Sequence, residues 1–262
     1  ALDRAPARGG WLETPEQPCD YRGPQDVTHT PYGEEGRDRP ALESLARLVA
    51  ASPDQLACED ADHALSIAEV RRAAGRLAAA IRGSAAQGPV AILLPNGVLY
   101  PVAVLACLAA GRMGVLLDAS YPEARNAELI RLTGAGLLVV PAAQVDEAGR
   151  LGLPCIAAEV ALAATDVEFP PPQAWLGQDV PAFVICTSGS TGQPKAVAYS
   201  QRALLHPVVG LIDGLHLSAR DRFLFVTWGA TITGLWSMFA MLSGCVLHLV
   251  PVNAVGVHGL WK

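Results

Sequence analysis

The chain has 262 residues, 51% hydrophobic and 17% charged, with a formal net charge of −6. That length and composition suit one large α/β domain or two smaller ones around a sizeable core, and exclude a disordered chain. The acidic balance and the lack of any basic stripe give nucleic-acid binding no electrostatic footprint.

Residues 1–40 carry Pro6, Pro15, Pro18, Pro24, Pro31 and Pro40 among mixed charges. They are expected to form an irregular arm or linker. Glu34, Glu35, Arg37, Asp38 and Arg39 are expected to be a solvated cluster within it. The first residue is Ala1 and no signal peptide follows, so the expectation is a trimmed chain or one that begins inside a longer product. Regular structure is expected from residue 41, where Leu42, Leu45 and Leu48/Val49 share a helical face.

Ser66 and Glu69 have capping-box spacing. Ile67, Val70, Ala74, Leu77 and Ile81 then recur at helical steps. Val90–Leu94 reads as a short buried strand, and a helix is expected from about Tyr100 to Ala110. "MGVLLDASYP" gives a strand and loop, "EARNAELIRLTGAG" a helix stopped by glycine, and "LLVVP" a third strand. This is the βαβ rhythm of a mostly parallel sheet. "CIAAE" and "VPAFVIC" read as strands separated by a proline-rich crossing, and "AVAYS" as extended. Ser200 can cap a helix running to about Gly214. "RFLFVT" is a strand, "TGLWSMFAMLS" a helix, "CVLHLVP" a strand, and "VGVHGLWK" the first turns of a helix.

Two uncharged stretches, 83–111 and 223–261, are broken by prolines and glycines before either reaches the length of a membrane span. Such apolar pieces belong in a sheet covered on both faces. The six cysteines, at 19, 58, 107, 155, 186 and 245, have no CxxC or zinc spacing. Cys58, Cys107, Cys186 and Cys245 are expected to be buried thiols of a cytoplasmic protein.

The chemistry concentrates in "CTSGSTGQPKA", Cys186–Ala196, directly after a predicted buried strand. Gly189 and Gly192 permit close approach to a ligand. Thr187, Ser188, Ser190 and Thr191 supply hydroxyl donors. Lys195 supplies a point charge, and Pro194 stiffens the approach to it. Such a loop can aim successive N–H groups at an anion and suits the polyphosphate of a nucleotide. It fails the Walker pattern: Gln193 and Pro194 separate Gly192 from Lys195, and Ala196 replaces Ser/Thr. A solvated Ser/Gly turn is the plain alternative.

"TSGSTGQPKAV" resembles the signature of the adenylate-forming superfamily: acyl-CoA synthetases, luciferases and nonribosomal peptide synthetase adenylation domains. Ala196 replaces the final glycine of the usual T-S-G-[ST]-T-G-x-P-K-G. "LAAGRMGVLLDASYPEAR" (Leu108–Arg125), "LSIAEV" and "GLWSMFAMLSGCVLHLVP" resemble further family segments in the family's order, covering roughly 41–262.

The resemblance implies mostly parallel sheets in βαβ units covered by helices, as in the large N-terminal domain of these enzymes. Residues 41–262 would be its N-terminal part, without the small C-terminal lid domain. It implies ATP and Mg²⁺, with the metal held mainly by ATP oxygens. A carboxylic acid would attack the α-phosphate, and a carrier-protein phosphopantetheine or CoA thiol would take the acyl group. Thr187, Ser188, Gly189, Ser190, Thr191, Gly192 and Lys195 would hold the β- and γ-phosphates. Family motifs for adenine, ribose, an acidic metal-linked residue and a catalytic lysine lie downstream of these segments. The expectation is therefore that these 262 residues alone form no adenylate at a useful rate.

Position within the resemblance makes Trp228, Thr231, Leu235 and Trp236 pocket candidates, with plain core as the alternative. Amino-acid-activating members carry an aspartate that falls near Thr231, yet no acidic residue lies between Arg222 and Lys262. An ammonium without a counterion is costly in a semi-buried pocket. This favours an aryl, acyl or modified acid over an ordinary α-amino acid. Asp118, Tyr121, Arg125 and His206 read as scaffold. Two other readings stay open: a non-catalytic nucleotide-binding or protein-interaction module that kept the fold, and one half of a split enzyme. An unrelated phosphotransferase fits poorly, given the failed Walker spacing.

Overall fold

The computed structural model describes residues 31–32, 36, 38–187, 194–226 and 230–250. Helix α1 (Ala41–Ala51) precedes a hairpin of β1 (Leu56–Glu59) and β2 (Ala64–Ser66), which leads into α2 (Ile67–Gly83). Then β3 (Val90–Ile92), α3 (Leu99–Ala109), β4 (Gly114–Leu116), α4 (Glu123–Thr133) and β5 (Leu137–Val140) alternate. After the short α5 (Val145–Ala148) come β6 (Cys155–Ala157), β7 (Pro181–Thr187), β8 (Lys195–Ser200) and α6 (Gln201–Leu215). The described chain closes with β9 (Arg222–Phe225), α7 (Ile232–Phe239) and β10 (Val246–Leu249).

The strands form two sheets. One has six strands in the order β6-β5-β3-β4-β7-β8, and the other has four in the order β2-β1-β10-β9. All neighbours are parallel except β7–β8 and β1–β2. The predicted α/β class with mostly parallel sheets is therefore what the chain adopts. The second sheet is closed by a long-range pairing that sets Cys58 opposite Leu247.

Side-chain alternation along the buried strands builds a core on each face of the six-stranded sheet. Ile92, Leu116, Val139 and Ile185 face the larger core, with α2 and α3. Ala91, Val115, Leu138 and Val184 face a smaller one, with Leu129 and Ile130 of α4. Helix α3 is buried on every side from Tyr100 to Ala109. An all-apolar helix of this length needs such a central berth.

Local signals explain the helix ends. Ser66 Oγ accepts from Glu69 N–H at 3.3 Å and Glu69 Oε2 accepts from Ser66 N–H at 2.7 Å, the predicted capping box. Helix α4 stops at Gly134, which takes the left-handed φ of 64°. Ser200 caps α6 by accepting from Ala203 N–H. Helix α1 has Pro40 at its start and no side-chain cap of its own. Gln201, 2% exposed, accepts from Ala41 N–H there and donates to the Leu176 carbonyl.

Several segments differ from the sequence reading, among them the unexpected short helix α5. The β1–β2 hairpin was not expected. The single helix expected over "TGLWSMFAMLS" is α7 followed by a tighter turn at Ala240–Ser243, ended by Gly244 at φ 87°. The charge cluster is partly docked: Arg202 pairs with both Asp38 and Asp179, and Arg39 lies 5.8 Å from the Tyr32 ring centroid. Tyr32 itself donates from its N–H to Asp213 and from its hydroxyl to Ser44 at 2.6 Å, fastening the end of the arm to α6 and α1. The segment "VGVHGLWK" and most of 1–40 lie outside the described residues.

Candidate functional site

Five parallel strands, β3 to β7, send their following loops to one edge of the six-stranded sheet. From β3 the chain moves to β4 on one side, then returns past β3 to β5 on the other. Helices α3 and α4 accordingly lie on opposite faces, and the loops after β3 and β4 diverge. Such a switch point leaves a crevice at the C-terminal ends of the strands, the usual place for a ligand in an open α/β sheet. Strand β7 lies directly beside β4, so it delivers Thr187 to this edge.

Strands β7 and β8, which flank the glycine–hydroxyl segment in the chain, pair antiparallel. Ile185 faces Val197, Cys186 faces Ala196, and Thr187 faces Lys195. Thr187 and Lys195 are both exposed and close the base of the loop from its two sides. Ser188, Gly189, Ser190, Thr191 and Gly192 lie outside the described residues, as does Trp228. Cys186 turns towards the smaller core, where Arg125 also approaches. Burial raises its thiol above the ordinary range and the Arg125 charge partly opposes this. Arg125 is held by Glu128 at 2.8 Å.

The neighbouring loops are fixed by short polar side chains. Asp118 Oδ1 accepts from both N–H and Oγ of Ser120, at 2.8 and 2.7 Å. The Asp118 carbonyl accepts from Asn126 Nδ2 at 3.0 Å. Asp118, 8% exposed, is thus part of the scaffold of the edge and also faces into it. Asp60 fastens the loop after β3: its Oδ2 accepts from Val98 N–H at 2.8 Å, and its Oδ1 accepts from Asp62 and His63 N–H. A Cβ on Gly97 would lie 2.9 Å from Asp60 Oδ2, so glycine is what lets this loop close on the hairpin. Sequence reasoning missed Asp60; the Asp-x-x-His turn in "EDADH" was its available signal.

Among the described residues, cavities open at several points along this edge. One of about 330 Å³ lies between Asp60, His63, Asn96 and Pro141. A second of about 170 Å³ lies between Tyr121, Asn126 and Gln144. The third, about 30 Å³, lies between Asn96, Tyr100, Asp118 and Ala230. Ala230 comes from the segment entering α7, so the connection that leads out of β9 reaches this edge. Of the pocket candidates, Thr231 is exposed and caps α7 by accepting from Gly234 N–H at 2.9 Å. Leu235 is 0% exposed and packs in the larger core. Trp236 is half-buried against the same core. Among the described residues no cluster of three or more His, Cys, Asp or Glu side chains could hold a metal ion. No helix among them is long and apolar enough to cross a membrane.

Residues 45–260 match the family described as AMP-binding enzyme. Pyochelin synthetase PchE of Pseudomonas aeruginosa is 34% identical over 188 residues, 68% of this chain and 12% of that protein. The AMPPNP-bound nonribosomal peptide synthetase FmoA3 superposes with a TM-score of 0.70 at 25% identity, over 80% of this chain and 22% of that one. O-succinylbenzoate coenzyme A synthetase (MenE) of Bacillus subtilis, in complex with ATP and magnesium ion, shares the fold with a TM-score of 0.69 at 23% identity, over 84% of this chain and 61% of that one. The chain therefore spans only part of each of the synthetases it resembles. Within that span, a mostly parallel sheet and a family match over residues 45–260 make this chain a member of the AMP-binding, adenylate-forming enzyme family.

Proposed function

We propose that residues 41–262 are the N-terminal part of an ATP-dependent carboxylate-activating domain, with the triphosphate held by Thr187, Ser188, Gly189, Ser190, Thr191, Gly192 and Lys195. The observation that carries this reading is the register of Thr187 with Lys195 beside the switch point. A hydroxyl and an ammonium stand at the two ends of one loop, at the edge where the strands of such sheets receive ligands. In this role the loop donors and Lys195 stabilise negative charge that develops on the leaving pyrophosphate. Magnesium, when bound with the nucleotide, would neutralise phosphate charge and be ligated chiefly by phosphate oxygens.

The acid is taken to be aryl, acyl or otherwise lacking a free α-ammonium. Support comes from the run 222–262, which offers no carboxylate near Thr231 in the chain. A thiol, from a carrier-protein phosphopantetheine arm or CoA, is the proposed acceptor. The resemblances to a nonribosomal peptide synthetase and to a coenzyme A synthetase support an acceptor of this class. The test is ATP–pyrophosphate exchange by the full-length protein against matched carboxylic and α-amino acids, with mass-spectrometric identification of the adenylate. Exchange with non-amino acids is expected. A strong preference for the α-amino form refutes the substrate reading, and no exchange with any acid favours a non-catalytic module.

A further inference from the structure

The 30 Å³ cavity at the sheet edge contains an unmet polar demand. Tyr100 lines it and is 1% exposed, yet its Oη has no hydrogen-bond partner among the described residues. An unpaired buried hydroxyl is destabilising, and phenylalanine would fill the same space without that cost. Burial, and after it the Asp118 charge, push the phenol far above its ordinary range. Tyr100 therefore keeps its proton and requires an acceptor. Asp118 lines the same cavity. Its Oδ1 accepts two bonds from Ser120, but a carboxylate offers about four acceptor sites, so capacity remains. The volume is enough for one oxygen-sized group.

We propose that Tyr100 and Asp118 form a polar subsite for a single hydroxyl oxygen, which accepts the Tyr100 proton and donates its own to the Asp118 carboxylate. Water and an alcohol or phenol satisfy both walls. An ammonium does not, because it has no lone pair for the phenolic proton. Ala230 forms part of the wall and is the immediate neighbour of Thr231. In the acid-free protein this oxygen is a resident water, and in the complex it is either that same water or a hydroxyl on the activated acid that replaces it. The second source rests on the carboxylate-activation reading; the first does not.

Three measurements on the full-length protein test this. Thermal unfolding compares wild type with Tyr100→Phe, which removes one oxygen and no packing. The subsite predicts a lower Tm for the variant, because a satisfied bridge is lost; an equal or higher Tm overturns it. A high-resolution crystal structure without acid should show one oxygen within about 3.2 Å of both Tyr100 Oη and Asp118. A Tyr100 Oη bonded directly to a protein group, or an empty cavity, overturns it. The third compares pyrophosphate exchange and bound structures with 2-hydroxybenzoate and benzoate. A substrate hydroxyl in the subsite gives a preference for the hydroxylated acid that falls about tenfold in Tyr100→Phe, as expected for one hydrogen bond. A resident water gives no change in the ratio and the same oxygen in both complexes. Failure to activate any acid defeats the activation reading and leaves the first two measurements to decide the subsite.

Discussion

Thr187 and Lys195 are register partners across the antiparallel β7–β8 pair, so the two ends of the glycine–hydroxyl loop are locked together by the sheet. The lysine needs no long-range contact to stay near the loop, because its neighbours Ala196 and Val197 are paired to Cys186 and Ile185. Replacing Lys195 should therefore remove charge without disturbing the scaffold. A hydrogen bond to a charged group contributes about 1.5–3 kcal/mol. Lys195→Ala in the full-length protein should lower kcat/KM for ATP in pyrophosphate exchange by about 10- to 150-fold, with unchanged Tm. Lys195→Arg should retain part of the activity.

The Ser66–Glu69 capping box should be visible in stability. Losing such a cap typically costs about 1 kcal/mol, so Ser66→Ala should lower Tm by a few degrees. Glu69 also makes the box pH-dependent. The Ser66 backbone N–H, then its side chain, holds the Glu69 carboxyl below its ordinary value. A depressed folded pKa contributes stability that is fully present above the unfolded value, near 4.3, and lost as pH falls through the folded one. Glu69→Gln should be less stable than wild type at pH 7, and the difference should close below about pH 4.

Gly136 should tolerate no side chain. A Cβ there would sit 1.9 Å from the Gln87 carbonyl oxygen, which is backbone and cannot turn aside. The same residue donates its N–H to Pro89 O at 3.0 Å, tying the entry of β5 to that of β3. Gly136→Ala should cost about 2–3 kcal/mol, in the range of overpacking changes, measured by urea unfolding. Gly149→Ala, where a Cβ meets nothing within 4 Å, serves as the neutral control.

The thiols should divide by burial. Cys58 and Cys107 are pushed up to about 12, in both chiefly by burial. Only about one molecule in ten thousand would carry either thiolate at pH 8. Cys155 and Cys186 are half-buried. Iodoacetamide treatment of the native protein, followed by peptide mass mapping, should label Cys155 and Cys186 well before Cys58 and Cys107. Equal labelling would contradict the packing around α3 and β1.

Elements with a local cause were legible in the sequence. Ser66, Glu69 and the stripe to Ile81 gave α2, and Gly134 gave the end of α4. The short apolar runs gave β3, β4, β5 and β7. The β1–β2 hairpin was not legible, because four- and three-residue strands carry too little alternation and β1 is stabilised by β10, nearly 190 residues away. The docking of Tyr32, Asp38 and Arg39 escaped for the same reason: their partners Asp213, Ser44 and Arg202 are distant in the chain or on another element. At the site, the residue types of the loop were legible. That its ends form a hairpin beside the switch point was not, since the pairing of β7 with β4 and β8 is a property of the sheet.

The most direct measurement is a crystal structure of the full-length protein with a non-hydrolysable ATP analogue and magnesium. The β- and γ-phosphates should lie within hydrogen-bond reach of the loop between Thr187 and Lys195, at the C-terminal edge of β7. A triphosphate bound elsewhere, with that loop making no contact to it, would overturn the assignment of the loop as the phosphate site.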